Sequence, residues 1–338
     1  MVRVAAVQAA SVGFDLQASV AKLQRLVAEA KENGAELVVL PEAFLSAYPR
    51  HYNVGVGYRT QDNRDWYGKY VQSAVKVPED GVGRDWNASA PLQAPGDDFW
   101  AFQVLCETAK CNKLYLSVGI IERSLTGATV WCCNLLFSPE GVCLAKHRKI
   151  KPTGAERVIW HEADAANPVA PRGDAAAEAK AADNMPVVQT TLGKVGALIC
   201  WENYMPLARY VMYKKGVELY LAPTADGRPT WVSTMQHIAM EGRCFVVSAN
   251  QYQENTDMPA DYPANANPSA LSSDKVWCRG GSSIIGPLGD ILAGPLWDTE
   301  GILYADIDVN QVLGTKVDFD PVGHYSREPL LMGLIAKL

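Results

Sequence analysis

The stretch Val195-Gly196-Ala197-Leu198-Ile199-Cys200-Trp201-Glu202-Asn203-Tyr204-Met205-Pro206 runs from an apolar, strand-like segment into a polar turn bounded by proline. The segment behind it, 207–216, reads as a helix. A strand-to-helix junction holds one side chain rigidly while leaving it open to a ligand, and backbone N–H groups there can face a developing anion. Cys200 occupies that junction and is suited to act as a nucleophile. The bland alternative is a buried core cysteine, the commoner fate of a free thiol. Partners elsewhere in the chain decide between the two.

The same alternation extends outward. Residues 2–7 form a short apolar run, and Leu16, Val20, Leu23, Val27 and Ala30 fall at helical spacing before the stop Asn33-Gly34. Leu37-Val38-Val39-Leu40 is a buried strand that ends at Pro41-Glu42. A helix near 98–109 and a strand near 114–121 follow. Segments 132–137 and 142–148 flank Ser138-Pro139-Glu140-Gly141, the pattern of an antiparallel hairpin. Beyond Cys200, a strand at 219–222, a helix around 232–241 and a strand at 244–249 are expected. A second hairpin joins 282–285 to 291–293, and 302–307 is a late strand. Strands alternating with helices, with hairpins interspersed, predict an α/β fold of mixed sheets covered by helices. No repeat or interdomain linker is visible, so a single domain over 1–338 is expected. Segment 162–184 is rich in Ala and charge and contains Pro168, Pro171 and Gly173; it reads as an excursion with little to bury.

A hydrophobic content of 48% supports a substantial core, and the net charge of −6 argues against a nucleic-acid or anionic-membrane surface. The one basic knot, Lys146-His147-Arg148-Lys149, is too short for a binding stripe. None of the eight cysteines forms a Cys-x-x-Cys pair, and adjacent Cys132 and Cys133 point to opposite faces of a strand. His51, His161, His237 and His324 are scattered without metal spacing. No metal or organic cofactor is expected. Reduced thiols suit the cytoplasm, the N-terminus lacks the features of a signal peptide, and no apolar run is long enough to span a bilayer.

Three further sites converge on Cys200. Glu42 ends an apolar strand, where poor solvation raises a carboxylate's pKa and suits it as a general base; alone, it would read as a surface carboxylate. Lys149 would otherwise be a solvated strand end, and Glu156 an ion-pair partner of Arg157. The strings carrying these residues are Leu40-Pro41-Glu42-Ala43-Phe44, His147-Arg148-Lys149 with Pro152-Thr153 and Glu156-Arg157, and Cys200-Trp201-Glu202-Asn203-Tyr204-Met205-Pro206. Ala222-Pro223-Thr224, Glu241-Gly242-Arg243-Cys244-Phe245, Gly280-Gly281-Ser282 and Asp320-Pro321-Val322-Gly323-His324-Tyr325 accompany them. Together and in this order they resemble the nitrilase superfamily of carbon–nitrogen hydrolases, in its nitrilase branch.

The resemblance implies a four-layer αββα sandwich and a Glu-Lys-Cys triad. Cys200 matches the nucleophile, Glu42 the general base, Lys149 the cationic stabiliser and Glu156 the supporting glutamate. It implies a small-molecule nitrile as substrate, hydrolysed to acid and ammonia through a thioimidate and an acyl-enzyme. It also implies a homodimer or a larger homo-oligomer, up to a spiral. Tyr48, Trp160, Trp201 and Trp231 are candidate pocket-lining aromatics, each equally readable as core. Two departures stand out: Trp131-Cys132-Cys133 replaces a Tyr-Asn-Thr-like string, and His161 with the Ala-rich segment replaces a short Gly-Asp-Gly turn. Ser19-Val20-Ala21-Lys22 matches a serine-acylase pattern without partner motifs, and Gly280-Gly281-Ser282-Ser283 is read as a strand-start turn. An amidase, a cyanide-converting enzyme and a catalytically idle binding protein are the alternatives; the intact set of Glu42, Lys149 and Cys200 argues against the last.

Overall fold

Strand β1 (Val2–Gln8) shows how the layers arise. Its side chains alternate between faces, so Val4 and Ala6 enter a core between two sheets while Ala5 and Val7 face helices. Helix α1 (Leu16–Glu32) is capped by Asp15, whose side chain accepts from Ala18 N at 2.9 Å, and lays Val20, Leu23, Val27 and Ala30 on that helical side. After β2 (Leu37–Val39) come α2 (Gln61–Ser73), α3 (Trp100–Asn112), β3 (Tyr115–Arg123), β4 (Val130–Phe137) and β5 (Cys143–Arg148). The computed structural model describes residues 1–52, 59–163, 183–269 and 272–337.

The second half supplies β6 (Val187–Thr190), β7 (Gly193–Ala197), α4 (Pro206–Lys214), β8 (Leu219–Leu221), α5 (Pro229–Gly242) and β9 (Phe245–Ser248). It continues through β10 (Tyr252–Glu254), β11 (Val276–Ile285), β12 (Ile291–Trp297) and β13 (Gly301–Ile307). One sheet has six strands in the order β13-β1-β2-β3-β4-β5; the other has seven, β10-β11-β9-β8-β7-β6 with β12 on β11. Both are mixed: β1-β2-β3 and β7-β8-β9 run parallel, and the hairpins add antiparallel strands. Leu37, Val39, Val195, Leu219, Leu221 and Val247 fill the space between the sheets. Phe102, Leu105 and Ala109 of α3 join α1 outside the first sheet, and Met212 of α4 packs with Met235 and Ile238 of α5 outside the second. The result is the expected αββα sandwich.

Predicted element ends differ from the observed ones by a few residues. Helix α2 was not legible because its polar sequence buries only Trp66, Tyr70, Val71 and Ser73. Strand β6 was missed because it is a short, half-exposed edge. The strand-start reading of Gly280-Gly281 is corrected: both lie inside β11. Their φ values are +88° and +110°, and a Cβ on Gly280 would stand 2.2 Å from the Gln8 side chain. Gln8 Oε1 takes the N–H groups of Gly281 and Ser282, at 2.9 Å each, and so ties the two sheets together. Ser19 is structural, its hydroxyl donating to Val12 O at 2.9 Å. Of the Ala-rich excursion, 164–182 lies outside the described residues. Beside it, Asn184 caps β5 by accepting from Arg148 N at 2.9 Å and donating to Arg148 O at 2.8 Å.

Candidate active site

Glu42, Lys149 and Cys200 each sit where a strand gives way to a turn. Glu42 follows β2 and is fully buried. The chain turns sharply behind it through Ala43 at φ 51°. That turn rests on Gly119 of β3, where a Cβ would come within 2.1 Å of Pro41 O and 2.8 Å of Glu42 Cα. Gln251 Nε2 holds the Glu42 carbonyl at 2.7 Å. Lys149 follows β5, and its Nζ donates to Glu42 Oε1 at 2.6 Å and to Glu156 Oε2 at 2.7 Å. Glu156 lies in a 3-10 turn (Gly154–Val158) and is clamped further by Thr153 N and the Tyr48 hydroxyl, each at 2.7 Å. Arg157 is not its partner; Arg157 Nε donates to Pro152 O at 3.0 Å.

Cys200 begins a 3-10 turn (Cys200–Tyr204) just beyond β7, at φ 50°. A left-handed backbone at a non-glycine residue costs roughly 1–3 kcal/mol and persists only when neighbours over-determine it. Here they do. Cys200 N donates to Pro223 O at 2.9 Å, and Asn203 Nδ2 donates to Cys200 O at 2.7 Å and Leu198 O at 3.0 Å. Asn203 is itself pinned by the Tyr220 hydroxyl at 2.7 Å and by Arg209 at 2.9 Å. Thr224 Oγ1 donates to the sulfur at 3.1 Å.

Burial pushes the Cys200 thiol well above its ordinary range, and the Glu42 charge adds to this. Burial also raises Glu42, against the opposing charge of Lys149. For Lys149 burial acts downward, but Glu42, Cys200 and Glu156 hold the ammonium well above the ordinary lysine value. The resting cluster is therefore a neutral thiol beside a buried ammonium bridging two carboxyl groups. Glu42 Oε1 takes Lys149 and the Cys132 thiol, the latter at 3.6 Å. Oε2 has no partner at normal hydrogen-bond geometry among the described residues, although the Cys200 thiol lies close enough to act on the carboxylate. A carboxylate oxygen left open beside a neutral thiol can accept its proton.

The sequence profile of carbon–nitrogen hydrolases matches residues 3–316. The chain belongs to the carbon–nitrogen hydrolase family. It is 42% identical to a bifunctional nitrilase/nitrile hydratase of Lupinus angustifolius, over 99% of this chain and 86% of that protein. It is 42% identical to nitrilase 2 of Arabidopsis thaliana, over 98% and 87%, and 41% identical to an aliphatic nitrilase of Sinorhizobium fredii, over 96% and 92%. In fold it is similar to a carbon–nitrogen hydrolase of Helicobacter pylori, with a TM-score of 0.69 at 18% identity covering 99% and 98% of the chains. A Saccharomyces cerevisiae member of branch 10 of the nitrilase superfamily gives 0.68 at 19% identity, covering 96% of each.

In this carbon–nitrogen hydrolase a cavity of about 630 Å³ opens over Cys200, walled by Tyr48, Arg50, Glu156, Trp201 and Trp277 among others. A comparable cavity of about 670 Å³ beside α1, α2 and α3 contains none of the four predicted catalytic residues. Trp201 is 41% exposed, and its Nε1 donates to Asp226 at 2.9 Å. Trp160 lines an adjoining cavity of about 420 Å³ that shares Tyr48, Arg50 and Glu156 with the first. Trp231 is corrected: it lies on α5, is fully buried, donates to Ser248 at 2.9 Å and is not among the residues lining the cavity over Cys200. Its ring is edge-on to Tyr204, which is edge-on to Trp201. The Trp131-Cys132-Cys133 departure sends Cys132 to Glu42, while Trp131 lies 4.0 Å from the Arg148 guanidinium carbon.

Sequence reasoning missed Thr224, Glu202 and Arg50 as site residues. The first two lie within the quoted strings, but their partners are distant in sequence. The basic knot is turned inward: Lys146 and Arg148 both pair with buried Glu122, at 2.9 Å and 2.7 Å. His147 meets Glu202 at 2.7 Å. Glu202 also accepts from Ile150 N and Ile199 N, at 2.6 Å each, so one carboxylate braces both the Lys149 turn and the Cys200 turn. Burial acts to lower His147, but the Glu202 charge and hydrogen bond raise it above 6.5. The pair's stabilisation is therefore full below pH 6.5 and is lost as pH rises through the raised folded value. Glu202→Gln is expected to destabilise the fold by roughly 3 kcal/mol below neutrality, with a smaller deficit in alkali. Urea unfolding at several pH values measures this, and a deficit that grows with pH contradicts it.

Proposed function

We propose that this carbon–nitrogen hydrolase is a nitrilase that converts an organic nitrile to the carboxylic acid and ammonia. In this reading Cys200 is the nucleophile, Glu42 the general base, Lys149 the cationic stabiliser and Glu156 the group that holds Lys149 in place. The observation that carries it is the thiol, carboxyl and ammonium cluster at the cavity floor, in a chain about two-fifths identical to nitrilases over nearly its whole length.

Glu42 takes the thiol proton as sulfur attacks the nitrile carbon, and the proton passes to the nitrile nitrogen to give a thioimidate. Negative charge developing on nitrogen meets Lys149 and the backbone N–H of Trp201, at the start of a 3-10 turn where N–H groups lack intrahelical acceptors. Water activated by Glu42 adds to the thioimidate. Expulsion of ammonia leaves a thioester, and a second water releases the acid and restores the thiol. Expulsion of sulfur at the tetrahedral stage instead releases the amide. That branch is the reading's second product, in keeping with the paired activities in the name of the lupin relative. The similar amidase structures are 16–18% identical and inform the fold alone.

The test is ammonia release from a panel of small nitriles beside the matching amides. Nitrile turnover with slower or absent amide turnover is expected; turnover of amides alone makes the enzyme an amidase. The same reading makes the protein a homo-oligomer in the cytoplasm. Leu330, Leu331, Met332, Leu334 and Ile335 of the C-terminal helix are exposed beside Leu207 on α4, an apolar face that suits a second copy. All eight cysteines are unpaired, and no helix among the described residues is long and apolar enough to cross a membrane. A purely monomeric mass by light scattering would remove the assembly from this reading.

A further inference from the structure

We propose that Arg50 is an anion-recognising group of the substrate cavity, and that the preferred nitrile carries a carboxylate. The proposal rests on the nitrilase reading and adds a substrate class to it. Three arginines line the cavity over Cys200: Arg50, Arg228 and Arg279. Two are neutralised in place. Arg228 is gripped by both oxygens of Asp226, with Nε at 2.8 Å, and Arg279 by both oxygens of Asp298, at 3.0 Å and 2.6 Å. Arg50 has no carboxylate at ion-pair distance among the described residues.

What holds Arg50 is neutral. Its Nε donates to Gln253 Oε1 at 3.1 Å, and Nη2 donates to Ala225 O at 2.7 Å. The guanidinium carbon stands over the Tyr48 ring at 4.8 Å, and Tyr48 is tied to Glu156. These contacts fix the plane of the guanidinium without cancelling its charge. A guanidinium has five N–H groups, so Nη1 and half of Nη2 are left without an acceptor among the described residues. Arg50 itself lines both cavities beside the nucleophile.

A deeply set, oriented and uncompensated guanidinium matches a carboxylate through two parallel hydrogen bonds. Burial acts to lower its pKa, but Cys278, Tyr48, Cys200 and Glu42 raise it overall, so Arg50 stays charged. A competing role is general support of negative charge at Cys200. That role predicts equal losses on charged and neutral substrates, so the test compares the two. Cyanopropanoate and its uncharged isostere, in which an isopropyl group replaces the carboxylate, form the substrate pair.

The wild-type enzyme is expected to favour cyanopropanoate in kcat/KM. In Arg50→Gln the ratio of charged to neutral kcat/KM should fall on the order of 10²-fold, chiefly through KM. Arg50→Lys should restore part of it. An equal loss on both substrates, or a wild-type preference for the isostere, overturns the proposal. Calorimetric binding of succinate to Cys200→Ala and to Cys200→Ala/Arg50→Gln reads the anion site without turnover. Binding that requires Arg50 supports the site, and equal binding or none by either protein refutes it. If no nitrile is turned over, it is the nitrilase reading that fails, and the succinate result still judges Arg50.

Discussion

Replacing Cys200 with alanine is expected to remove nitrile turnover by a factor on the order of 10⁴ or more and to leave the fold in place. Every covalent step of the proposed route runs through that sulfur. The hydrogen bonds that set the turn come from backbone and from Asn203, not from the thiol, which accepts from the Thr224 hydroxyl at 3.1 Å. Alanine inherits the same φ of 50° and loses one atom's packing. Mass spectrometry after incubation with a slowly hydrolysed nitrile should find an adduct on Cys200 in the wild type and none in the variant. Cys132, whose thiol reaches Glu42, and Cys278, on the cavity wall, are the competing thiols. An adduct on either, or turnover surviving in Cys200→Ala, would overturn the assignment.

Glu42→Gln is expected to lower turnover on the order of 10²- to 10⁴-fold with little change in substrate binding. The amide keeps the carboxylate's shape but cannot take the thiol proton, and burial holds the thiol neutral at rest. Lys149→Met should be similarly disabling and more destabilising. It leaves Glu42 and Glu156 facing each other without the cation that bridges them at 2.6 Å and 2.7 Å. Removing one partner of such a buried set costs roughly 3–5 kcal/mol. Because the residues act as a unit, Glu42→Gln/Cys200→Ala should be scarcely worse than Cys200→Ala alone. Single-turnover acylation separates the chemical step from binding; a Glu42→Gln enzyme that acylates at the wild-type rate removes Glu42 from the base role.

The strings around Glu42, Lys149 and Cys200 made the site legible through their joint resemblance to the nitrilase superfamily; alone, each residue read as a surface carboxylate, a solvated strand end or a core cysteine. Continuous apolar runs mark the strands before Glu42 and Cys200 locally, and the residue that follows each run is written beside it. Cys132 and Cys133 could likewise be assigned to opposite faces from the pleat alone, and they take them: one meets Glu42, the other packs in the helical core. The layered α/β architecture followed from the same local periods, because each amphipathic element must bury one face against another.

Only the tertiary structure decided the surroundings of those residues. Lys149 meets Glu42 across 107 positions, His147 meets Glu202 across 55, and Arg50 reaches Gln253 across 203. No local period encodes such separations. The basic run 146–149 read only as a knot too short for a binding stripe, and its partners were not visible, although each of its four residues is buried against a carboxylate. Trp231 read as a pocket wall because it lies close in sequence to Thr224, yet α5 turns it into the core. The sequence alone determined which residues stand at strand ends and, through the resemblance of its motif strings to the nitrilase superfamily, the candidate chemistry. Which charges are cancelled, and which one is left facing the cavity, was decided by packing, because burial and charge compensation are properties of neighbours in space and not along the chain.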